Sequence, residues 1–181
     1  KMRSAEKSTI AKYIADNQLT PQTTATGLKY LITAPSAGRK PLAGDTLLVN
    51  YAGRTMEGKL FDSSIEEVAK GAGLQQPGRT YEPIKVVVGN SEVIRGWDEG
   101  LLLVNEGAKA KFIIPSALAY GERGAGEDIK PYSPLVFDVE LVKVIPGVRK
   151  KTIAKKPGAK GTVAKKASGK RPATKKKVTK K

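Results

Sequence analysis

Cysteine and histidine are both absent from the 181 residues of the chain. Without cysteine there is no disulfide, no thiolate nucleophile and no thiolate metal ligand. Without histidine there is no Ser-His or Cys-His pair, and the commonest metal ligand is missing. The acidic residues are scattered without the D-x-D-x-D-G spacing of a calcium loop, and no phosphate-binding G-x-x-x-x-G-K-[ST] motif occurs. We therefore expect no metal and no cofactor.

Long apolar runs are also missing. None approaches the ~20 residues of a membrane-spanning helix, so we expect no transmembrane segment. No signal peptide is visible, but the chain begins with Lys1, which is typical of a processed or trimmed product. The lack of cysteine suits an oxidising compartment such as a periplasm or cell envelope. Cytoplasmic proteins also do without cysteine, so both locations stay open.

The net charge of +16 is concentrated at the C-terminal end. Residues 149–181 contain 15 of the 33 Lys and Arg residues and no Asp or Glu, which leaves 18 basic against 17 acidic side chains before them. With almost no bulky apolar residue, the stretch 148–181 is predicted to be a disordered basic tail. Two roles stay open for it. It either aids solubility only, or makes weak, salt-sensitive contact with nucleic acid or another polyanion.

Residues 1–27 are predicted to form an N-terminal helix and a linker. Ile10, Tyr13 and Ile14 share one side of a helix over residues 4–17. Residues 21–27 are polar and rich in threonine, as expected of a connector. Three apolar residues make a narrow stripe, which is typical of a helix packed on the domain but also of a linker or dimerisation segment. The oligomeric state is therefore left open.

Residues 28–147 are predicted to form one α+β domain. Alternating or β-branched apolar residues predict strands at residues 28–33, 45–54, 59–63, 84–88, 108–115 and 135–145. Most connections are hairpins or loops, so the strands should pair antiparallel. About five strands around one central helix make an antiparallel α+β domain.

The central helix carries the only tryptophan of the chain, Trp97. Ile94, Trp97, Leu101 and Val104 fall on one helical face, and Gly107 is the predicted stop. Such a face is typical of a core helix with a buried tryptophan. The neighbouring strands also carry aromatic residues, so the second interpretation is an apolar pocket with Trp97 as its floor.

Three groups of motifs follow one another along this domain. They are V-N-Y-A-G with K-L-F-D-S-S, then V-I-R-G-W-D-E-G, then A-Y-G-E-R-G-A-G with P-L-V-F-D-V-E-L. With these motifs, residues 44–144 resemble the FKBP-type peptidyl-prolyl cis-trans isomerases, the macrolide-binding immunophilins. The resemblance implies a twisted antiparallel sheet wrapped around one short α-helix, with a hydrophobic prolyl pocket between them. It also implies proline-containing polypeptides as substrates and macrolides of the FK506 or rapamycin type as inhibitors.

The resemblance places ten residues at this pocket. Those expected to be catalytic are Tyr51, Phe61, Asp62, Trp97, Tyr120 and Phe137. Those expected to bind substrate are Ile84, Val93, Ile94 and Ile129. Two departures from the family pattern affect the rim. Ile84 stands where the family often has an aromatic residue, and Asp128, the neighbour of Ile129, is polar where the family is usually apolar.

Rotation about an X-Pro bond makes and breaks no covalent bond, so it needs no imidazole, thiolate or metal. Its barrier of ~18–20 kcal/mol comes from amide resonance. A dry cavity should favour the twisted amide, because water solvates the planar form better. In this hypothesis Trp97, Phe61 and Phe137 hold the proline ring, and the Ile94 N–H and the Tyr120 hydroxyl bind carbonyls beside it. The alternatives from another class are a non-catalytic binder of prolyl peptides, and a protein that binds nucleic acid or another polyanion through its basic tail.

Two further features lie beside the predicted pocket. Asp62 is a carboxylate at an apolar rim, and we expect it to orient its surroundings electrostatically, hydrogen-bonded to Tyr51 or another neighbour, instead of acting as a general base. Residues 65–82 are longer than the connection expected after F-D-S-S. They are either a tolerated surface insertion, since long loops cost little, or a lip at the pocket mouth that helps to hold unfolded substrate.

Overall fold

The computed structural model describes residues 2–148, so the predicted basic tail over residues 148–181 lies outside the described part except for its first residue. The helices are α1 (Met2–Asp16), α2 (Glu66–Gly71) and α3 (Arg95–Gly100), with short 3₁₀ helices at Leu101–Leu103 and Ser116–Leu118. The strands are β1 (Gln22–Thr23), β2 (Lys29–Ala34), β3 (Thr46–Thr55), β4 (Leu60–Ser63), β5 (Ile84–Val87), β6 (Lys109–Ile114) and β7 (Leu135–Ile145). This architecture confirms the α+β class.

All strand pairs are antiparallel and belong to one sheet, in the order β1-β2-β6-β7-β3-β4. Strand β3 is central, because β7 pairs with its whole length while β5 and β4 share its other edge. Within residues 2–148 the sheet has seven strands, where the sequence analysis puts about five in the domain: β2–β7 correspond to the six predicted ranges, and β1 was not predicted. The two residues of β1 are too few to show a period, and they lie inside the region predicted as a connector.

The main core lies between the sheet and α3. Trp97, Leu101 and Val104 are buried there, as the helical pattern predicts. The predicted end of the helix at Gly107 is wrong, because Val104 is already extended, with φ −113° and ψ 129°. Gly107, at φ +91°, belongs instead to a turn that leads into β6, where its N–H donates to the carbonyl oxygen of Leu141 at 2.6 Å.

Helix α1 packs on the opposite face of the sheet. Neighbouring residues of a strand point to opposite faces, so Ile113 and Val136 turn away from α3. Both are buried in a second cluster with Ile10 of α1. The helix is therefore docked on the domain, as the first of its two interpretations predicts. Within residues 2–148, no helix has the length and apolar content that crossing a membrane requires.

Candidate active site

A cavity of about 440 Å³, open to solvent, lies between the sheet and the start of α3. It is lined by Tyr51, Phe61, Asp62, Ile84, Ser91, Glu92, Val93, Ile94, Trp97, Tyr120 and Phe137. Nine of the ten residues predicted for the pocket are in this set. Ile129 is not, because it is buried in the main core and pairs with Ala125 in an isolated bridge.

Four aromatic rings from three strands and α3 form the floor and walls of the cavity. The Trp97 ring meets the rings of Tyr51 and Phe137 edge to face, each with 5.3 Å between centroids. Phe61 meets Phe137 in the same way at 5.6 Å. The buried indole Nε1–H of Trp97 has no hydrogen-bond partner within the described residues. The indole is therefore held by ring packing, which keeps the floor of the cavity apolar.

The two serines of the F-D-S-S motif fix the backbone of Tyr51. The Ser63 hydroxyl donates to the Tyr51 carbonyl oxygen at 2.8 Å, and the Ser64 N–H donates to the same oxygen at 3.0 Å. In return the Tyr51 N–H donates to the Ser64 hydroxyl oxygen at 2.9 Å. Both serines are buried, so their polar groups need these partners. The motif thereby joins β3 to β4 at the cavity wall.

Asp62 accepts hydrogen bonds on both carboxylate oxygens. The Tyr51 hydroxyl donates to Oδ2 at 2.5 Å, and Tyr51 is the first of the partners that the sequence analysis leaves open for Asp62. The Arg79 Nη1 donates to Oδ1 at 2.9 Å, and its Nη2 donates to the Ser63 carbonyl oxygen at 3.0 Å. Arg79 also stands 4.6 Å above the centre of the Tyr81 ring. Asp62 is therefore paired on both carboxylate oxygens, which fits a role in orienting its neighbours.

Sequence reasoning did not find Arg79. It lies in the insertion over residues 65–82, and no local pattern links it to Asp62, 17 positions earlier. The one available signal is that a carboxylate at an apolar rim needs a cation, and the insertion offers only Lys70 and Arg79. No residue of the insertion lines the cavity. The insertion contacts the site through Arg79, which binds the carboxylate oxygen of Asp62 that does not accept from Tyr51.

The Ile94 N–H and the Tyr120 hydroxyl are among the hydrogen-bond donors at the cavity that have no partner within residues 2–148. The Ile94 carbonyl oxygen accepts from the N–H groups of Trp97 and Asp98, but the Ile94 N–H makes no hydrogen bond there. The hydroxyl of Tyr120, whose side chain is exposed at the cavity, makes none either. Both are free to bind the carbonyl groups of a ligand.

The loop before α3 adds Ser91 and Glu92 to the cavity lining, and the sequence predicted neither. The Asp98 carboxylate accepts from the N–H groups of Gly89 and Ser91, both at 2.9 Å. Ser91 has φ +60°, a conformation that a non-glycine residue adopts only when its surroundings hold it. Asp98 lies in the first turn of α3 and thereby anchors this part of the cavity rim.

Burial, followed by the hydrogen bond to Asp62, raises the pKa of the Tyr51 phenol well above its ordinary value. The free energy of unfolding should therefore fall as the pH rises above 10, because the unfolded chain loses a proton that folded Tyr51 keeps. One such proton contributes ~1.4 kcal/mol per pH unit. Urea unfolding at three values between pH 9 and 11 would measure the slope.

The variant Tyr51→Phe should lose this part of the slope. Equal slopes for the wild type and Tyr51→Phe would show that the Tyr51 proton is not held by folding.

An antiparallel sheet around a short helix, with an open aromatic cavity between them, is the architecture that the resemblance to the FKBP-type isomerases implies. Within residues 2–148, no group of three or more acidic residues is placed to hold a metal ion. The model of the FKBP-type peptidyl-prolyl cis-trans isomerase family matches residues 37–142. The chain belongs to this family.

Similar proteins agree with this assignment. A probable FKBP-type peptidyl-prolyl cis-trans isomerase FkpA of Neisseria meningitidis is 44% identical over 136 residues, which cover 75% of this chain and 44% of that protein. An FK506-binding protein of the same species is 38% identical, over 59% of this chain and 86% of its own. The crystal structure of a peptidyl-prolyl cis-trans isomerase from Pseudomonas syringae superposes with a TM-score of 0.63 at 32% identity, covering 80% of this chain and 93% of that one. The chain spans about half the length of the longer curated relatives that it matches.

Proposed function

We propose that the chain is a peptidyl-prolyl cis-trans isomerase that accelerates X-Pro bond rotation in unfolded or partly folded proteins. The observation that supports this most is the open cavity with Trp97 buried at its floor and aromatic walls. Its volume of about 440 Å³ is within the size of small-ligand pockets. A pyrrolidine ring is small and apolar, so it suits such a space.

Catalysis then consists of moving the prolyl amide out of water and fixing the chain on either side of it. The planar amide loses more solvation than the twisted one, so the cavity lowers the barrier. The Ile94 N–H and the Tyr120 hydroxyl, which have no partner in the described residues, hold the flanking carbonyl groups. Such positioning contributes because the ligand chain is already ordered when the bond rotates.

The experiment that tests the proposal follows cis-to-trans rotation of an X-Pro tetrapeptide with and without the protein. We expect acceleration over the uncatalysed rate, and its loss when FK506 or rapamycin is added. The similarity to an FK506-binding protein supports the expected inhibition by macrolides. Peptide binding without acceleration would instead make the chain a non-catalytic prolyl-peptide module. As a folding helper, the active protein should also speed a refolding reaction that is limited by proline isomerisation.

Replacing Asp62 by alanine should lower kcat/KM about tenfold, which is ~1.4 kcal/mol. The change removes the acceptor of the Tyr51 hydroxyl and the partner of Arg79, and so releases both groups at the cavity wall. Tetrapeptide kinetics would measure the loss. Asp138→Ala is the matched control, because Asp138 is likewise paired on both carboxylate oxygens, by Arg54 and Lys111, but does not line the cavity.

We expect Asp138→Ala to keep the wild-type kcat/KM. If Asp62→Ala also keeps it while remaining folded, the orienting role of the carboxylate is wrong.

We further propose that the basic tail binds polyanions weakly and without sequence preference. The proposal is supported by 15 basic and no acidic residues in residues 149–181. The logarithm of the affinity for single-stranded DNA should fall linearly with the logarithm of the salt concentration, by ~0.7 for each phosphate contacted. Replacing Lys175, Lys176 and Lys177 together by glutamine should reduce that slope. Binding that does not depend on salt would contradict this role.

A further inference from the structure

A buried carboxylate connects α1 to the loop that carries Tyr120. Glu6 is only 8% exposed, although glutamate is rarely buried without a partner. Its Oε1 accepts from the Ser116 hydroxyl at 2.8 Å, and its Oε2 accepts from the Ser116 N–H. Both oxygens of one buried charge are therefore used on one residue, 110 positions away. Hydrogen bonds to a charged group are stronger than those between neutral groups.

Ser116 passes this restraint to the residues on both sides of Tyr120. Its carbonyl oxygen accepts from the N–H of Ala119 at 2.9 Å and from the N–H of Gly121 at 2.8 Å. The loop is also held further along, where the Gly124 N–H donates to the Tyr120 carbonyl oxygen at 3.1 Å. The N–H, the hydroxyl and the carbonyl oxygen of Ser116 thus all take part in a chain of contacts from α1 to the residues on either side of Tyr120.

The Tyr120 side chain has no hydrogen bond of its own to fix it at the cavity. It is 40% exposed, and its hydroxyl has no hydrogen-bond partner within residues 2–148. Its place at the cavity is therefore set by the backbone that carries it. A shift of that backbone would move a ligand-binding donor, and small misplacements of positioning groups are costly in catalysis.

We propose that Glu6 is a positioning residue for Tyr120, and that the docking of α1 thereby sets the geometry of the cavity mouth. The inference rests on the proposed isomerase function for its kinetic consequence. Its structural part, the restraint of the loop by Glu6 through Ser116, stands independently of that function. In this view α1 has a second role beyond covering Ile113 and Val136.

A double-mutant cycle tests the kinetic part. Glu6→Ala should lower kcat/KM for a tetrapeptide about fivefold, which is ~1 kcal/mol. In a Tyr120→Ala background the same change should have little effect, because no side chain is left to position. Glu6→Gln should restore most of the activity, since an amide can accept from the Ser116 N–H and donate to its hydroxyl oxygen. Asp16 is an exposed carboxylate on the same helix, so Asp16→Ala should leave kcat/KM unchanged.

Amide hydrogen exchange of Ala119 and Gly121 tests the structural part without using activity. Both amides should exchange faster in Glu6→Ala than in the wild type or in Asp16→Ala. The amides of β7 serve as the reference, and their exchange should be the same in all three proteins. Ser116→Ala, which keeps the backbone N–H, provides a second and milder variant if Glu6→Ala folds poorly. Unchanged exchange at these two amides overturns the inference.

The kinetic outcomes separate the two proposals. An inactive wild-type protein counts against the isomerase function and leaves the exchange measurement to decide on Glu6. An active wild type in which Glu6→Ala costs the same with and without the Tyr120 side chain overturns the positioning role, because a purely structural loss would not depend on Tyr120.

Discussion

Replacing Trp97 by alanine should lower kcat/KM for an X-Pro peptide about tenfold to 100-fold, which is ~1.4–2.7 kcal/mol. The indole is the floor of the cavity and touches two of its aromatic walls, Tyr51 and Phe137. Without it, water reaches the space in which the prolyl amide should be dry. The walls also lose the ring that fixes their orientation. Rotation would then proceed in surroundings closer to bulk solvent.

The same substitution should cost ~3–5 kcal/mol of stability, as removal of a buried aromatic ring does. Activity must therefore be compared at a temperature at which the variant is folded, for example ~10 °C, near the usual maximum of stability. Phe112→Ala is the matched control, because Phe112 is fully buried in the same core but does not line the cavity. It should lose similar stability and keep most of its activity. Equal activity losses in the two variants would mean that the Trp97 effect is one of stability.

Most of the fold could be predicted because its signals are local. The alternation along β7 predicts its bounds at residues 135 and 145 correctly, since a half-buried strand repeats every two residues. The helical face of Trp97, Leu101 and Val104 predicts their burial. The end of α3 could not be predicted in this way, because it depends on the turn that feeds β6 and not on the helix itself.

The candidate site shows the same difference between residues with a local signal and residues whose place depends on the tertiary structure. Nine of its predicted residues line one cavity, because the motifs that carry them are short and lie on the strands, α3 and the neighbouring loops around it. The roles of Arg79 and Glu6 could not be predicted from the sequence. Each pairs with a distant residue, Asp62 or Ser116, and only the tertiary structure brings the two together. Ile129, predicted to bind substrate, lies outside the cavity lining. Its apolar side chain suits both a rim and a core, and only the loop conformation puts it in the core.

The V-N-Y-A-G motif contains a second determinant of the cavity, Gly53 on β3. A glycine inside a strand usually weakens it, so this position needs a reason. A Cβ atom built at Gly53 would lie 2.6 Å from Cζ of Phe61 and 2.7 Å from Cε1 of Phe137. The edges of the two rings therefore occupy the place of a side chain. Glycine at this position lets both rings close over the strand and form the cavity wall.

We therefore expect Gly53→Ala to lower both stability and activity. The added methyl group has to displace the two rings, and overpacking of this kind costs ~1–3 kcal/mol. Because these rings are the walls of the cavity, kcat/KM should fall about tenfold. Urea unfolding and tetrapeptide kinetics on the same preparation would measure the two effects.

Two alanine substitutions at other glycines separate these effects. At Gly100 an added Cβ would lie 2.8 Å from Cζ of Phe112, which is similar overpacking away from the cavity lining, so Gly100→Ala should lose stability but keep its activity. At Gly71, near the end of α2, nothing lies within 4 Å, and alanine should be neutral or stabilise by up to ~1 kcal/mol. Should Gly53→Ala retain full activity despite lower stability, the placement of Phe61 and Phe137 by Gly53 would not matter for catalysis.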